Sequence, residues 1–461
     1  MNVLFVVHEF PPLGGGAGVW VRTLADAVAA DGGQVEVLTL GSPGVAYAPT
    51  AYPVTPVAVG RASTAYGDVL SLLRFQRAAR RAVAQRVAAG GWDCVYAHFT
   101  VPAGWAALAG VDDAGAAGRL PVVVDISGAD IYDPDRFAIV RPLLNMLNRR
   151  VVRRAKLVIA PSRDMAEHCR RLTGVLPEVV YRAVDTDRFR PEAANPELLR
   201  NLGIPKYVSP LPPGDEFRPE SAEQGMLRNS GVLKCVHPLP AGEGLRPESV
   251  NPELLRTAGT PEDVHPLPTG EGRVRGDDRK SKVILTVGRL VERKNLPFAL
   301  AITAELVKRG LPVYQVIAGE GPERPKLERL AAAMGISDRI IFAGRVADAD
   351  LPGLVAAADL FLLTSHYEAL GIVLLEALAA GTPVLAPAIG GIPEIAPADA
   401  FAARWLPPAE SPAQWADHVS ALLERSQAAQ VQAPPAFATT ALLAGWRERL
   451  RAAATAAPVR K

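Results

Sequence analysis

The sequence predicts an α/β protein: two doubly wound, Rossmann-like domains facing each other across a cleft, with a low-complexity repeat insertion between them. Three observations predict it. Short apolar, β-branched runs alternate with helical stretches of 3–4 periodicity in both halves of the chain, which is the pattern of βαβ units. The chain has 461 residues, 49% of them apolar, enough for two or three domains at roughly 150 residues each. The rhythm breaks once, near the middle, where prolines crowd.

In the first half the expected strands are Asn2–Val7, Val35–Leu40, Cys94–Ala97, Pro121–Asp125, Leu157–Ala160 and Glu178–Tyr181. In the second half they are Lys282–Val287, Val313–Ala318, Arg339–Phe342, Leu360–Leu363 and Pro383–Ala386. Continuously apolar runs such as Val3-Leu-Phe-Val-Val7 fit parallel sheets buried on both faces. Helices are expected between them, among others over Trp20–Ala30, Leu72–Ala88, Leu296–Arg309 and Leu370–Ala380.

The break is a repeat. Val208-Ser-Pro-Leu-Pro-Pro-Gly recurs as Val236-His-Pro-Leu-Pro-Ala-Gly and begins again at Val264-His-Pro-Leu-Pro-Thr-Gly, in steps of 28 residues. Asn195-Pro-Glu-Leu-Leu-Arg returns at Asn251, two steps on. A solenoid is one reading of such repeats. These units hold three or more prolines each and few large apolar residues, so neither a helix nor a ladder is expected to persist. The preferred reading is a duplicated, disordered insertion over 195–278, between a first domain at 1–194 and a second at 279–461. Repetition also explains the matched His237 and His265 without a metal.

Composition excludes several classes. Lys+Arg 50 against Asp+Glu 48 lacks the basic excess of a nucleic-acid binder. Cys94, Cys169 and Cys235 are too far apart for a disulfide framework or a cysteine zinc cluster, and suit a reducing cytosol. The start has no basic segment before its apolar run, so no signal peptide is expected, and no uncharged apolar run reaches about 18 residues.

Three places carry candidate chemistry. After the first strand, His8-Glu-Phe-Pro-Pro-Leu-Gly14-Gly15-Gly16-Ala-Gly18 leads into a helix. Such glycines let backbone amides approach a phosphate at the positive helix end. A dinucleotide fingerprint and a plain tight turn are the alternatives; clean G-x-G-x-x-G spacing is absent. After Val287 come Gly288-Arg289 and Arg293-Lys294-Asn295. Of these, the two cations Arg289 and Lys294 at a parallel strand's carboxyl end can neutralise a diphosphate, or can form a solvated turn. After Leu363 come Glu368-Ala369-Leu370-Gly371 and, within the following helix, Glu376 among leucines and alanines. There the amides of Ala369–Gly371 offer a phosphate site and Glu368 can accept from sugar hydroxyls; a capping Glu and an exposed Glu are the bland alternative.

Glu368-x7-Glu376 followed by Ala-x-Ala-x-Gly381-Thr-Pro-Val resembles the signature of the GT-B glycosyltransferases, in particular the retaining glycosyltransferase family 4. The Gly14–Gly16 loop, Val184-Asp-Thr-Asp-Arg-Phe189, Gly288-Arg289-Leu290 with Lys294-Asn295, Ile317-Ala-Gly319-Glu-Gly321-Pro322 and Phe342-Ala-Gly344-Arg345 follow in that family's order. The resemblance implies roles. Arg289 and Lys294 bind the donor diphosphate and stabilise it as leaving group, and Glu368 holds the donor sugar. Glu376 holds the ribose, while Gly15, Gly16, Gly288, Ala369, Leu370, Gly371 and Arg345 complete the donor site. A last helix, about 437–455, is expected to pack back on the first domain. With Arg and Lys in place no metal or other cofactor is required, and no D-x-D motif ends a strand.

The sequence departs from the family at Asp125-Ile126-Ser127-Gly128-Ala129-Asp130, where members often carry His-Gly-x-Asp. Gly128 and Asp130, a donor-site candidate, match; Ser127 replaces the His. Ser127 and His98, which follows the third of these strands, are the acceptor-side candidates, with a backbone-bonded strand-end His as the alternative for His98. The family's Asn-Gly before Val-Asp is missing, since Arg182-Ala183 precede Val184, and Arg182 is expected to alter the interdomain hinge. Basic helical faces at Arg74–Arg86 and Arg149–Lys156 suit a lipid-linked acceptor, or are simply solvated. The expected protein is therefore a cytoplasmic retaining transferase, peripheral at the inner face of the membrane. Its partners are a UDP- or GDP-sugar and a glycan or lipid-linked acceptor. A non-catalytic nucleotide-sugar-binding relic and an NAD-dependent Rossmann enzyme are the alternatives.

Overall fold

A computed structural model describes residues 1–12, 15–41, 47, 49–58, 69–128, 141–204, 281–396, 403–425, 437 and 439–455. Asp130, Gly14 and nearly all of the repeat segment lie outside the described residues.

Two parallel sheets organise the chain. The first is built from β1 (Val3–Val6), β2 (Val35–Gly41), β3 (Val54–Ala58), β4 (Cys94–His98), β5 (Val122–Asp125), β6 (Leu157–Ala160) and β7 (Glu178–Val179), in the order β3-β2-β1-β4-β5-β6-β7. Val3 of β1 pairs with Val35 on one side and Cys94 on the other. The second contains β8 (Lys282–Val287), β9 (Val313–Ala318), β10 (Ile340–Gly344), β11 (Leu360–Leu362), β12 (Val384–Pro387) and β13 (Ala403–Leu406), in the order β10-β9-β8-β11-β12-β13. In each sheet the winding reverses beside the first strand, between β1 and β4 and between β8 and β11. The crevice outside the carboxyl ends of such a pair is where ligands sit in doubly wound folds.

The helices are α1 (Gly16–Ala30), α2 (Val69–Ala89), α3 (Trp105–Asp113), α4 (Arg141–Arg154), α5 (Arg163–Thr173), α6 (Pro196–Asn201), α7 (Leu296–Lys308), α8 (Arg324–Ala333), α9 (Leu351–Ala357), α10 (Ile372–Ala379), α11 (Pro412–Arg425) and α12 (Thr439–Thr455). They cover both sheet faces. Val6, Val95 and Val124 pack against α2 and α3, while Phe5, Val37 and Tyr96 pack against α1 and α12. Trp446 of α12 is fully buried on the first sheet, edge-on to Tyr96 and stacked with Phe5. The chain's last described helix thus returns to its first strand.

Residues 195–204, expected within the unstructured insertion, are ordered. Asn195 caps α6 by accepting from Glu197 N at 3.1 Å, and Pro196 fills the first helical position. Leu198, Leu199 and Leu202 then pack on the second domain's core, where Val184, Phe189 and Ile204 are buried. The repeat masked ordinary helix-start chemistry. Two edge strands, β3 and β13, were not foreseen. Pro56 sits inside β3, which an edge strand tolerates, and β13 is four residues long.

Candidate active site

The second sheet supplies the charged half of the site. β8 ends at Val287; Gly288 N then donates to Ala318 O at 2.9 Å, and Leu290 N to Glu320 O at 3.0 Å. This backbone stitching fixes the turn that carries the half-buried Arg289. A Cβ on Gly319 would lie 1.8 Å from Gly288 O, so only glycine lets the two turns approach. Asn295, at φ 47, closes a short turn over Glu292–Lys294 and starts α7. Thr364 Oγ1 donates to the carbonyls of Lys294 and Asn295, each at 3.0 Å, tying that turn to the end of β11.

Lys294 and Glu368 meet there. Lys294 Nζ lies 2.5 Å from Glu368 Oε1, and Ser365 Oγ donates to the same oxygen at 2.8 Å. Glu368 is buried, which alone would raise its pKa; Lys294 and then Arg293 outweigh this and, with the two hydrogen bonds, hold it below its usual range. The carboxylate therefore stays charged and acceptor-only, able to take hydroxyl donors through its remaining lone pairs. A Cβ on Gly288 would lie 3.4 Å from Lys294 Cε, so the ammonium, the β8 turn and Glu368 occupy one spot.

Two helix ends converge on that spot. Gly371, at φ 88, precedes α10 without any side-chain cap, and Gly15 precedes α1 likewise. A Cβ on Gly16 would lie 3.7 Å from Ile372 Cδ1, so the first domain's glycine turn faces the mouth of α10. Uncapped helix amides from both domains are suited to an anion. Nearby, Arg345 donates to Pro12 O across the cleft. Ala369 is half-buried and Leu370 buried, so that stretch offers backbone rather than side-chain chemistry.

Glu376 stands apart, on α10. Its half-buried carboxyl is pushed up to about 7 by burial, against the opposing charge of Arg188 and with the help of Asp348. It can switch between acceptor and donor near neutral pH.

Among the described residues, the strand ends of the first sheet supply little charge to the cleft. His98 is fully buried at the end of β4, with Nδ1 3.2 Å from Asp125 Oδ2. Asp125, fully buried at the end of β5, also takes both guanidinium nitrogens of Arg182 (2.8 and 2.5 Å), Trp20 Nε1 at 3.2 Å and the Tyr96 hydroxyl. Burial opposes its charge, but Arg182 and then His98 hold it well below the usual carboxylate range. Arg182 lies over Trp20, 5.1 Å from the ring centroid. Sequence reasoning quoted Asp125 without a role and put Arg182 at the hinge; together they form a buried network behind Ser127. Only a long-range pairing reveals it, 57 residues apart in sequence. Gly128, after Ser127, would place a Cβ 3.1 Å from that of Ala369, so this turn touches the Glu368 loop directly. Ser365, Arg293 and Arg188 join the site as residues the motif alone did not single out.

Among the described residues no group of three or more His, Cys, Asp or Glu is placed to hold a metal, and no helix is long and apolar enough to cross a membrane.

Two family profiles match the chain: "Glycosyltransferase Family 4" over residues 14–188 and "Glycosyl transferases group 1" over residues 272–434. They leave unmatched only the two ends and the stretch from 189 to 271. The chain is 36% identical over 148 residues to the alpha-D-kanosaminyltransferase of Streptomyces kanamyceticus, 32% of this chain and 37% of that one. It is 36% identical over 149 residues to the D-inositol 3-phosphate glycosyltransferase of Mycolicibacterium smegmatis, 32% and 34% of the two chains. The chain thus spans about a third of the length of these curated relatives. Among solved structures, sucrose-phosphate synthase from Thermosynechococcus elongatus superposes with a TM-score of 0.66 at 17% identity, over 98% of both chains. HepE of Anabaena, in complex with UDP and glucose, superposes with a TM-score of 0.62 at 18% identity, over 98% of this chain and 99% of that one. These likenesses establish the fold, and with the two profiles they identify the chain as a member of glycosyltransferase family 4 with the GT-B architecture.

Proposed function

We propose that the protein transfers a sugar, with retention of configuration and without a metal, from a nucleotide-diphosphate sugar to a glycan or lipid-linked acceptor. The observation that carries the proposal is the Lys294–Glu368 pair at the uncapped mouth of α10, beside Arg289 and facing Gly16. Breaking a sugar–phosphate bond builds negative charge on the phosphate and positive charge on the sugar. Lys294, Arg289 and the amides of α10 and α1 serve the first; the charged, acceptor-only Glu368 holds sugar hydroxyls and tolerates the second. Glu376, titrating near neutrality, takes the ribose hydroxyls. A nucleoside diphosphate fits the family, and HepE structures carrying UDP or UDP-glucose support that class of donor.

The acceptor side is carried by the first domain. Leu143 and Met146 stand exposed on α4 beside Arg149, Arg150, Arg153 and Arg154. This face supports contact of a cytoplasmic, peripheral enzyme with an anionic lipid surface. Arg149 and Arg153 also donate to carbonyls at the end of α5, and Arg154 to Asp112, so they brace the fold as well. Co-sedimentation with anionic vesicles tests this contact.

The test of the central reading is kinetic. Glu368→Gln is expected to slow donor turnover roughly 100-fold while calorimetry finds free UDP or GDP bound nearly as before. Chelation with EDTA is expected to leave turnover intact. Near-normal turnover in Glu368→Gln, or a strict need for Mg2+, would sink the assignment.

A further inference from the structure

The loop carrying Glu368 is gripped by both domains. Tyr367 is buried in the first domain's core, its hydroxyl 4.0 Å from Met165 Sδ, and Ala369 packs on the same cluster. From behind, Gly391 N donates to Glu368 O at 3.1 Å. A Cβ on Gly390 would lie 2.0 Å from Glu368 O, and one on Gly391 2.3 Å from Ala369 O and 2.7 Å from Ser162 Cβ. These glycines therefore form a thin joint between the Glu368 loop and the start of α5.

The joint continues into the turn Ile392–Glu394, and Glu394 crosses to the other domain. Its Oε2 accepts from Arg163 N at 2.9 Å and from the Tyr181 hydroxyl at 3.0 Å, and its Oε1 accepts from Asp164 N at 3.0 Å. Ser162 caps the next amide of α5, Met165 N, at 3.1 Å. A carboxylate of the second domain thus satisfies the first two amides of a first-domain helix, where its charge also suits the helix dipole. Glu394 is only half-buried, so both partners can return to water when they separate. That makes the contact reversible, unlike the fully buried Asp125–Arg182 pair.

We propose that Glu394 is a closure latch: by capping α5 across the cleft it holds the two domains together and sets the Glu368 loop against Lys294. It is a positioning residue, and the proposal rests on the transfer reading above. Nucleotide affinity, which draws on the second domain, should change little on its loss; the rate of the step that needs Glu368 in place should fall.

The experiment uses the full chain as wild type, Glu394→Gln, Glu394→Ala and Tyr181→Phe. Hydrogen exchange is followed in the peptides covering residues 163–165 and 367–371, UDP and GDP are titrated, and kcat and KM for donor-sugar hydrolysis are measured. Glu394→Ala is expected to exchange at least tenfold faster in both peptides, to bind nucleotide within threefold of wild type, and to lose at least tenfold in kcat. Glu394→Gln should fall between and Tyr181→Phe should show the smallest effect. Faster exchange at 163–165 alone, with kcat unchanged, would make Glu394 an ordinary helix cap and overturn the proposal. If the Ala variant does not fold, the Gln variant decides by the same readouts. If wild type turns over no donor sugar, the transfer reading fails, and the latch is decided by exchange alone: coupled acceleration of both peptides upholds it, and acceleration at one overturns it.

Discussion

The two sheets share one winding and treat charge in opposite ways. At the carboxyl ends of β8 and β11 the second domain leaves Arg289, Lys294 and Glu368 at the crevice, half-buried or held by partners that a ligand can join. At the equivalent ends of β4 and β5 the first domain folds its charges inward: Asp125 and Arg182 are buried and satisfy each other, and His98 is buried beside them. Among the described residues, what the first domain presents to the second is backbone and small residues at Gly16 and Gly128. On the proposed function the same fold is divided into a chemical half and a supporting half, and the division is testable because charges of the two kinds should fail differently.

The largest effect is expected from the supporting half. Asp125→Asn leaves the Arg182 guanidinium buried without its counter-charge, which costs about 3–5 kcal/mol of stability. Urea unfolding should record the loss, while UDP or GDP affinity of the folded fraction stays within a few-fold. Full stability with lost nucleotide binding would erase the contrast.

Next comes the chemical half. If Lys294 acts on the departing phosphate as proposed, Lys294→Ala should lower kcat roughly 100-fold or more, about 2.7 kcal/mol. On the same proposal the ammonium also binds the ground state, so donor affinity should fall as well. Steady-state kinetics decide; a change confined to KM would move Lys294 from chemistry to plain binding.

These two variants also mark what the sequence could and could not tell. The parallel strands were readable because burial on both faces demands unbroken apolar, β-branched runs, as in Val283–Val287. β3 escaped because Pro56 interrupts it, a cost that only an edge position forgives. Lys294 and Glu368 were singled out from motif spacing, and the structure brings them together. Asp125–Arg182 and Glu394–Arg163 were not, since their meaning lies in contacts 57 and 231 residues apart that no local pattern encodes. His98, read from the sequence as an acceptor-side candidate or a backbone-bonded strand-end His, lies fully buried 3.2 Å from Asp125, another placement that no local pattern encodes.

A third, smaller effect concerns pH. Glu376 has a folded pKa raised from 4.5 to about 7, so between those values the folded state holds the extra proton. Stability from this group is complete below about pH 4.5 and is lost as pH rises through 7. The full linkage would be about 3 kcal/mol; partial exposure brings the expectation to about 1–3 kcal/mol. Glu376→Gln should flatten that slope in urea titrations at pH 5 and 7.5. An unchanged slope would place the titration elsewhere.

The smallest effect should come from the repeats, and here the boundary matters more than the length. From their prolines and scarce apolar residues, no packing on either domain is expected. Excising 205–278 and bridging with a flexible Gly/Ser segment should shift stability by less than about 1 kcal/mol, because loop-closure cost varies only slowly with length. Starting the excision at 195 is a different experiment. It removes the Asn195 cap and α6, takes Leu198, Leu199 and Leu202 off the second core, and exposes the cavity left by buried Ile204. Ile204 alone contributes roughly 1.5 kcal/mol or more. The gap between the two deletions, read by urea unfolding, locates where the second domain's packing ends and the repeat begins. Equal stabilities would mean that α6 contributes nothing, and a large loss from the shorter deletion would mean that the repeats themselves pack on a domain.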